Sequence, residues 1–435
     1  MTSNLRVALI ETQDLTKART WRLGPNEFSN RVSSLAPSSV RFLQRIGAWN
    51  DVEVDRVQKY QEMQVWDGQT GAKISFDSLA AVATMTENAN LSRALLKSVE
   101  ASSEDGHVAI WSNTKVVSIE NGQSYYPSGP DLSAWPVVSL STSDEASTAP
   151  SRITARLLVG ADGISSPVRS FAGISTNGWD YNRHGVVATL SLASSSSSSL
   201  RTAYQRFLPS LGGPIALLPL PDNHATLVWS TTVQNAAYLK SLPPRAFIAT
   251  VNAAFRLSMV DLEYMMQLDN SVATDTMTPH QDELSWRLRH TSLPAFIPPE
   301  VDGVQEGTVA SFPLRFRHAS SYISPRVALV GDAAHVVHPL AGQGLNLGLG
   351  DVACLSAAIE YAVSHGMDVG NLLSLERYAA ERYLVNAKVG AACDLLHRVY
   401  NVPGYGPIAW GRSLGLDVID RLPFVKGFLM RQAEG

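Results

Sequence analysis

The chain has 435 residues, a length that favours two or three lobes over one small domain. Its hydrophobic content of 45% and charged content of 17% are typical of globular proteins and exclude disordered and fibrous classes. The formal net charge of -4 excludes a broad basic surface, so nucleic acid is not an expected partner.

Two cysteines, Cys354 and Cys393, provide neither a disulfide framework nor a metal-ligand cluster, so we expect a reducing compartment and no metal. No uninterrupted apolar run reaches the roughly 18 to 20 residues that a membrane span needs. The first residues run directly into a predicted strand, so we expect neither a secretory signal nor a transit peptide in the sequence as given.

The first predicted element is a strand, RVALIE at 6–11, which ends in an acid as the second strand of a dinucleotide-binding unit does. A helix is predicted over Ser33–Trp49 behind a serine-rich start. On this helix Val40, Leu43 and Ile46 recur at helical spacing, which indicates one buried face.

The next elements predict a hairpin at 63–76, a helix at 88–99 with a leucine face, and several strands. A buried strand over Ile153–Gly163 completes a mixed α/β first lobe. From about Val186 the strands are longer, with Pro and Gly between them, which favours an antiparallel sheet. The serine run at 191–200 predicts a solvated loop.

The most specific segment is RVALVGDAAHVVHPLAGQGLNLGLGD at 326–351, a buried parallel-type strand followed by glycines that open a helix. Asp332 follows the strand, where an open α/β sheet faces its ligand, so its carboxylate is placed for a polyol or ribose. Glycines at a helix start let backbone N–H groups approach an electron-rich ligand edge, helped by the helix dipole. The pattern does not fit a phosphate-binding GxGxxG, because its last gap is three residues.

This segment resembles the second flavin-contacting motif of the aromatic-ring flavoprotein monooxygenases, GD followed by PxxGxGxNxGxxD. The matching residues are Gly331, Asp332, Pro339, Gly342, Gly344, Asn346, Gly348 and Asp351. GADGISSPVR at 160–169 resembles the DG motif of the same family, which lies near the flavin pyrophosphate. A strand–turn–helix junction capped by Asp162 explains the same residues structurally, and both interpretations can hold together.

Further stretches are similar to one branch of that family, the ubiquinone-biosynthesis hydroxylases, and most to its mitochondrial member. These stretches are SNRVSSLAPSS with Arg31, QRFLPSLGGPIALLPLPD with Arg206 and Pro214, and FPLRFRHA with Pro313. The resemblance runs from near residue 5 to the end of the chain. It implies bound FAD, whose C4a-hydroperoxide hydroxylates the aromatic ring of a polyprenylated phenol or hydroxybenzoate intermediate in ubiquinone biosynthesis.

The resemblance implies cofactor-binding residues and leaves the catalytic residues unknown. The cofactor-binding residues are Glu11, Arg31, Asp162, Asp332, Pro339, Gly342, Gly344, Leu345 and Asn346. His335 and His338 lie beside the flavin motif and are expected to pack or orient, with tuning of the substrate phenol as the alternative. Tyr204, Gln205 and Arg206 are candidates to line the substrate channel, although half of an alternating strand faces the other way.

The implied fold class is α/β. A Rossmann-like FAD-binding domain, which lacks its first strand and glycine loop in this sequence, combines with an interleaved, mostly antiparallel β-sheet substrate domain and C-terminal helices. The FAD-binding domain is expected at 1–62 and 78–173, with its flavin-contacting motif at 326–365. The substrate domain is expected at 63–77 and 174–325, and the helical region at 366–435.

In such enzymes a strand, a GxGxxG turn and a helix, about 30 residues together, precede the strand that ends in the ribose-binding acid. Glu11 matches that acid, so we interpret the sequence as a shortened version of a longer enzyme. The absent strand is expected between the strands at 5–11 and 326–330. Two alternatives stay open: a FAD-poor, non-catalytic form within a biosynthetic complex, and a flavin-dependent reductase of isoprenoids.

The resemblance also implies partners: the polyprenyl phenol and O2, other ubiquinone-biosynthesis proteins, and an electron donor. The donor is either ferredoxin with its reductase or NAD(P)H. The implied location is the matrix side of the mitochondrial inner membrane, as a peripheral protein. Val418–Gln432, with Leu, Phe and Met among Arg421, Lys426 and Arg431, is a candidate for contact with the membrane surface; a packing helix is the alternative.

Overall fold

The computed structural model describes residues 5–78, 81–103, 106–123, 131–143, 148–193, 201–269, 277–294, 296–338 and 342–401. Three features discussed above fall outside these ranges: Pro339, residues 194–200 of the serine run, and Val418–Gln432.

Within these ranges the chain forms twenty strands and ten α-helices. The strands are β1 (Val7–Ile10), β2 (Val32–Leu35), β3 (Val57–Tyr60), β4 (Glu62–Asp67), β5 (Lys73–Asp77), β6 (Ala83–Glu87), β7 (Val108–Trp111), β8 (Thr114–Asn121), β9 (Pro136–Thr142), β10 (Arg152–Thr154), β11 (Leu158–Gly160), β12 (Thr176–Leu192), β13 (Thr202–Leu208), β14 (Gly213–Pro219), β15 (His224–Thr232), β16 (Val301–Val304), β17 (Ala310–Ala319), β18 (Ile323–Ser324), β19 (Val327–Leu329) and β20 (His335–Val336). The helices are α1 (Thr16–Arg19), α2 (Pro37–Arg45), α3 (Asn88–Ser103), α4 (Pro167–Phe171), α5 (Val233–Ser241), α6 (Pro244–Arg256), α7 (Met259–Met265), α8 (Pro279–His290), α9 (Gln343–Ser364) and α10 (Leu372–Tyr400).

The largest sheet has nine strands in the order β20-β17-β12-β15-β14-β13-β4-β5, with β16 paired to β12. Its pairs are antiparallel except β13 with β4, which agrees with the predicted mostly antiparallel sheet. Alternation along the strands separates two faces. Ile215, Leu217 and Trp229 are fully buried on one face, in an apolar cluster with residues of α5 to α8. The other face is left for a cavity.

The parallel strand pairs lie in two smaller sheets. β1 pairs with β7, and β11 pairs with β19, whose other edge is covered by β18. Because β19 has a partner on both edges, the expected position of an absent strand beside 326–330 is wrong. Among the described strands, the free edge in this sheet belongs to β11, whose Val159 is 41% exposed.

Two predicted elements differ from the structure. Ile153–Gly163 is not one buried strand, because β10 pairs with β9 and β11 pairs in a different sheet. The predicted helix over Ser33–Trp49 is confirmed only as α2, since residues 32–35 pair with β6 and Pro37 begins the helix. Gly47 at φ 81° ends it, which leaves Ile46 44% exposed. The hairpin within 63–76 and the helix over 88–99 are confirmed as β4–β5 and α3.

Helix α9 packs against α10 and the turn at 331–333. By length and apolar composition it is the one helix in the described ranges that could cross a membrane, and a third of the tested stretch is buried in the fold. It also carries the fully buried Asp351, which is bonded to side chains of α10. Core helices of globular domains have the same apolar composition.

Candidate functional site

A cavity of about 540 Å³ lies between the nine-stranded sheet, the β2-β6-β3 sheet and the start of α9. We call the side formed by Asn30–Ser34 and Gly342–Asn346 the loop wall. The opposite side, the sheet wall, is formed by one face of β12 to β15 and β17. Its residues are Val187, Gln205, Pro214, Ala216, Leu218, Val228, Ser230, Ala310, Ser311 and Phe312.

The N-terminus of α9 borders the cavity with bare backbone. Gly342 is its N-cap, at φ 61°, and no side chain caps the helix. A Cβ on Gly342 would lie 3.2 Å from the Cβ of Ser34, whereas one on Gly344 would meet open space. Because the first N–H groups of a helix lack intrahelical partners, this end suits the electron-rich edge of a planar ligand.

Asn346 ties the two parts of the loop wall together. Its Oδ1 accepts hydrogen bonds from Ala36 N and from Ser39 Oγ, both at 2.8 Å. Its Nδ2 donates to Ser34 O at 2.8 Å and to Gly342 O at 3.2 Å. With these four bonds, the Asn346 amide holds the loop to α9 and lines the cavity at the same time.

Arg31 lies on the loop wall, and its guanidinium makes no hydrogen bond or ion pair with any residue in the described ranges. The segment that precedes Arg31 is fixed by a hydrogen bond in which Ser29 N donates to Glu87 Oε1 at 2.6 Å. Glu87 is fully buried and pairs with Arg56 Nε at 2.5 Å and Nη2 at 2.9 Å. Within the described part of the chain, Arg31 is therefore a cation without a partner, on a segment that is fixed by hydrogen bonds.

Glu11 and Asp162 do not line the cavity. Glu11 follows β1, and its Oε1 accepts a bond from Gln13 N at 2.8 Å. Asp162 follows β11, and its Oδ2 accepts a bond from Val168 N at 3.1 Å. Both carboxylates stand after strands that have a parallel partner, and Asp162 stabilises the strand–turn–helix junction.

Asp332 also lies outside the cavity lining, in the turn after β19. Its residue surface is exposed, yet the protein atoms packed around the carboxyl raise its pKa by desolvation, and nearby His335 lowers it in part. Arg169 joins this turn to the DG motif: its Nη1 donates to Ala333 O at 2.8 Å and its Nη2 to Ile164 O at 2.6 Å.

The nine sequence-predicted residues therefore divide into three groups. Five lie together on the loop wall: Arg31, Gly342, Gly344, Leu345 and Asn346. Three stand at strand ends outside the cavity: Glu11, Asp162 and Asp332. Pro339 lies outside the described residues.

Of the three candidates on β13, only Gln205 lines the cavity. It is 6% exposed, and its amide bonds to no side chain or backbone atom of the described chain. Arg206 faces the other side, where it donates to Ala254 O at 2.9 Å and Leu257 O at 2.7 Å. Tyr204 packs against the apolar cluster of that side. Strand alternation accounts for the separation.

Several polar cavity residues were not predicted from the sequence, among them Ser230 and Tyr60. Ser230 is 3% exposed on the sheet wall, two positions from Val228, and strand alternation could have paired them. Tyr60 is 4% exposed, its OH lies 3.1 Å from Ser34 Oγ, and burial raises its pKa. No local signal singles out Tyr60, because its place in the cavity depends on how β3 packs.

Neither histidine beside the flavin motif lines the cavity. His335 Nε2 lies 2.6 Å from Asp351 Oδ2. His338 packs between the rings of Tyr181 and His397, at centroid distances of 5.0 and 4.6 Å. Burial, with a smaller contribution from His397, lowers the pKa of His338 to about 3. These contacts are those of packing and orienting residues.

Solved structures with this fold include proteins named as monooxygenases. PqsL, a probable FAD-dependent monooxygenase from Pseudomonas aeruginosa, aligns over 94% of this chain and 92% of its own, with a TM-score of 0.62 and 19% identity. The p-nitrophenol 4-monooxygenase PnpA from Pseudomonas putida aligns over 99% and 92%, with a TM-score of 0.62 and 17% identity. At these identities the likeness concerns the fold, and it confirms the predicted fold class.

Sequence comparison is more specific. The family described as FAD binding domain matches residues 22–392. The mitochondrial ubiquinone biosynthesis monooxygenase COQ6 of Saccharomyces cerevisiae is 38% identical over 98% of this chain and 87% of its own length. The COQ6 proteins of Schizosaccharomyces pombe and Xenopus tropicalis are 36% and 40% identical, over 99% and 93% of this chain and 86% and 83% of their own lengths. The resemblance drawn from the motifs is confirmed, and this chain belongs to the FAD-dependent monooxygenase family of the COQ6 ubiquinone biosynthesis proteins.

Proposed function

We propose that this chain, with FAD, hydroxylates the aromatic ring of a polyprenylated phenol or hydroxybenzoate in ubiquinone biosynthesis. The observation that carries the proposal is the cavity with two unlike walls. One wall offers a bare helix N-terminus and a cation without a partner among the described residues, and the other is a mainly apolar sheet face with two buried polar side chains. A flavin and an electron-rich ring placed face to face need this combination.

The loop wall fits the cofactor. The uncapped start of α9 would face the electron-rich edge of the flavin ring, with Gly344 leaving room for close approach. Arg31 would offset negative charge on the cofactor. Asp332 and Glu11, at the ends of strands, would accept hydrogen bonds from the hydroxyl-bearing parts that extend beyond the cavity, and Asp162 would hold the DG turn near the pyrophosphate through its bond from Val168 N. When bound and reduced, FAD activates O2 for transfer of one oxygen atom to the ring.

The sheet wall fits the substrate. Val187, Ala216 and Val228 give an apolar surface on which a ring can lie flat and from which water is excluded. Gln205 and Ser230 are buried polar side chains on that surface, so they would hydrogen-bond the hydroxyl or carboxyl substituent of the ring. Both side chains would orient the substrate through hydrogen bonds, and neither would form or break a covalent bond.

The pairing of the strands supports the proposed division into domains. The hairpin of β4 and β5 joins the nine-stranded sheet, although it lies in the chain among elements of the α/β part. This supports a substrate domain at 63–77 and 174–325 interleaved with an FAD-binding domain at 1–62, 78–173 and 326–365, followed by the helical region at 366–435.

The relatives are named as mitochondrial, and we propose the mitochondrion for this chain, at the matrix side of the inner membrane. A polyprenyl tail partitions into a bilayer, so an enzyme that acts on its head group has to work at a membrane surface. Electrons would come from a ferredoxin and its reductase or from NAD(P)H, and other proteins of the pathway are proposed partners.

The test is FAD-dependent oxygen transfer by the purified chain. Protein saturated with FAD is given a short-chain prenylated 4-hydroxybenzoate, O2 and either reduced ferredoxin or NADPH, and the product is analysed by mass spectrometry. We expect a product with one added oxygen atom that requires FAD and O2.

Two outcomes separate the alternatives. Stoichiometric FAD with no oxygen uptake would favour the isoprenoid reductase. No FAD binding by residues 1–435, with binding restored when a strand–GxGxxG–helix unit is fused ahead of Met1, would show that the cofactor site needs that unit. The non-catalytic form is not favoured by the comparisons, since the relatives are named monooxygenases and an FAD-binding family spans most of the chain.

A further inference from the structure

Asp351, on the third turn of α9, is a fully buried carboxylate with four hydrogen-bond donors. Gly331 N donates to Oδ2 at 3.1 Å, and His335 Nε2 lies 2.6 Å from the same oxygen. Arg382 Nε and Asn386 Nδ2 donate to Oδ1 at 2.9 and 2.8 Å. Burial alone would raise the pKa of Asp351, but these bonds, from His335 first, hold it below its usual range.

The four donors come from three separate parts of the fold. Gly331 belongs to the turn that carries Asp332, His335 begins β20, and Arg382 and Asn386 belong to α10. Asp351 itself lies two turns from Gly344 on the same helix. A single carboxylate therefore connects the turn that carries Asp332 to the helix start that lines the cavity.

The contact with Asp351 is the one side-chain hydrogen bond of His335 among the described residues. It is 2% exposed, and its Nδ1 is buried without a hydrogen-bond partner among the described residues. The tautomer protonated at Nε2 suits this arrangement, because that nitrogen has the carboxylate as its acceptor. His335 also pairs with His318 across β20 and β17, and its ring lies 5.9 Å from that of Tyr322, so its position follows from packing while its one side-chain hydrogen bond among the described residues reaches Asp351.

The packing between the two parts is close. A Cβ on Gly348 would lie 3.4 Å from Gly331 Cα, so the turn rests directly on α9. Small changes in the Asp351 bonds would shift the turn against the helix, because packed interiors transmit displacement.

We propose that His335 and Asp351 are positioning residues that set the spacing between the Asp332 turn and the N-terminus of α9. The Asp332 carboxylate and the bare N-terminus of α9 are the two sides of the cofactor site. The buried bond between His335 and Asp351 would keep them at a fixed distance from each other. The proposal rests on the flavin site proposed above. It assigns the spacing of the two sides of that site to residues that do not line the cavity.

The experiment compares His335→Leu, His335→Gln and His318→Leu in the full chain. Glutamine can still donate to Asp351 from its amide nitrogen, whereas leucine cannot. His318 is a neighbouring control: it is 9% exposed, pairs with His335 across β17 and β20 and lies 3.0 Å from Tyr322 OH, but it makes no hydrogen bond to Asp351. Two readouts are taken: amide hydrogen exchange of peptides that contain Gly331 in the apoprotein, and the FAD dissociation constant.

We expect His335→Leu to speed exchange at Gly331 and to weaken FAD binding about tenfold, the size of one lost bond to a charged group. His335→Gln should restore both readouts to within about threefold, and His318→Leu should change neither. The proposal is overturned if His335→Gln behaves as His335→Leu does, or if His318→Leu has the same effect. Absence of FAD binding in the unmodified chain would overturn the proposed function, and the exchange pattern alone would then decide this inference.

Discussion

The two walls of the cavity are built by different means. The loop wall depends on specific polar bonds, such as the four of Asn346 and the buried pair of Glu87 with Arg56. The sheet wall depends on apolar burial behind it, where Leu217 and Trp229 are fully buried. Polar bonds fix atoms at given distances, whereas apolar packing tolerates changes of side chain if the volume is kept. This difference agrees with a loop wall that binds one cofactor and a sheet wall that binds a flexible, apolar substrate.

The largest expected effect is on the loop wall. Glu87→Ala leaves Arg56 as a buried unpaired charge and removes the acceptor of Ser29 N, so it should destabilise the fold by about 3 to 5 kcal/mol and weaken FAD binding. Leu217→Ala, on the sheet side, should cost a similar 2 to 5 kcal/mol, roughly, with little change in FAD affinity. Urea unfolding and FAD titration of both variants test this. Equal changes in FAD affinity would abolish the distinction between the walls.

A second effect concerns acid sensitivity outside the cavity lining, where His338 and His397 pack together. Burial lowers the pKa of His338 to about 3 and that of His397 to about 4, below the unfolded value of about 6.5. The unfolded chain therefore binds more protons between these values, and stability is full above about pH 6.5 and falls as the pH drops toward 4. His338→Phe should remove about 1.4 kcal/mol per pH unit of that slope. Urea unfolding at about pH 7 and pH 5 checks it; unchanged slopes would contradict it.

On the sheet wall, Gln205→Leu should separate binding from stability. The buried amide has no partner in the described chain, so an apolar side chain of similar size should leave stability within about 1 kcal/mol or raise it. The affinity for a prenylated phenol should fall about tenfold, because its polar substituent loses a hydrogen bond. Ligand titration and thermal unfolding measure the two quantities. Unchanged affinity would mean that the substrate lies elsewhere.

The smallest expected change is at Gly344→Ala. Nothing lies within 4 Å of the added Cβ, and alanine favours a helix over glycine by about 1 kcal/mol, so stability should rise slightly. FAD affinity should fall, because the methyl group occupies the space into which the cofactor edge would fit. Gly366→Ala is unsuitable as a control, since Gly366 has φ 67°. A variant that gains stability and keeps its FAD affinity would place the flavin away from α9.

The motifs predicted the loop wall better than the sheet wall. Gly342, Gly344 and Asn346 are close together in the chain, and a strand followed by a glycine-rich helix start is a local pattern. Gln205 could be proposed only together with its neighbours, because the sequence does not say which face of β13 is buried. The ion pair of Glu87 and Arg56 joins residues 31 positions apart, and nothing in either segment signals it.

The errors in secondary structure have the same cause. The helix predicted over Ser33–Trp49 lost its first turn because residues 32–35 pair in a sheet with β6, whose residues 84–87 lie far along the chain. The single strand expected at 153–163 divides because its two halves find partners in different sheets. Local periodicity predicts an element, but tertiary pairing decides where the element begins and ends.

The bonds that close the loop wall have a consequence for the order of folding. Ala36 N reaches Asn346 across 310 positions, and Phe28 N reaches Gln305 across 277. Contacts between residues so distant in the chain form slowly and late, and during synthesis they cannot form before the second partner has left the ribosome. Before Asn346 has been made, the segment around Arg31 can pair with β6, but the loop wall still lacks the part that α9 supplies. The cofactor site is therefore expected to be among the last parts of the protein to assemble, and a chain interrupted before α9 would have no cavity to offer FAD.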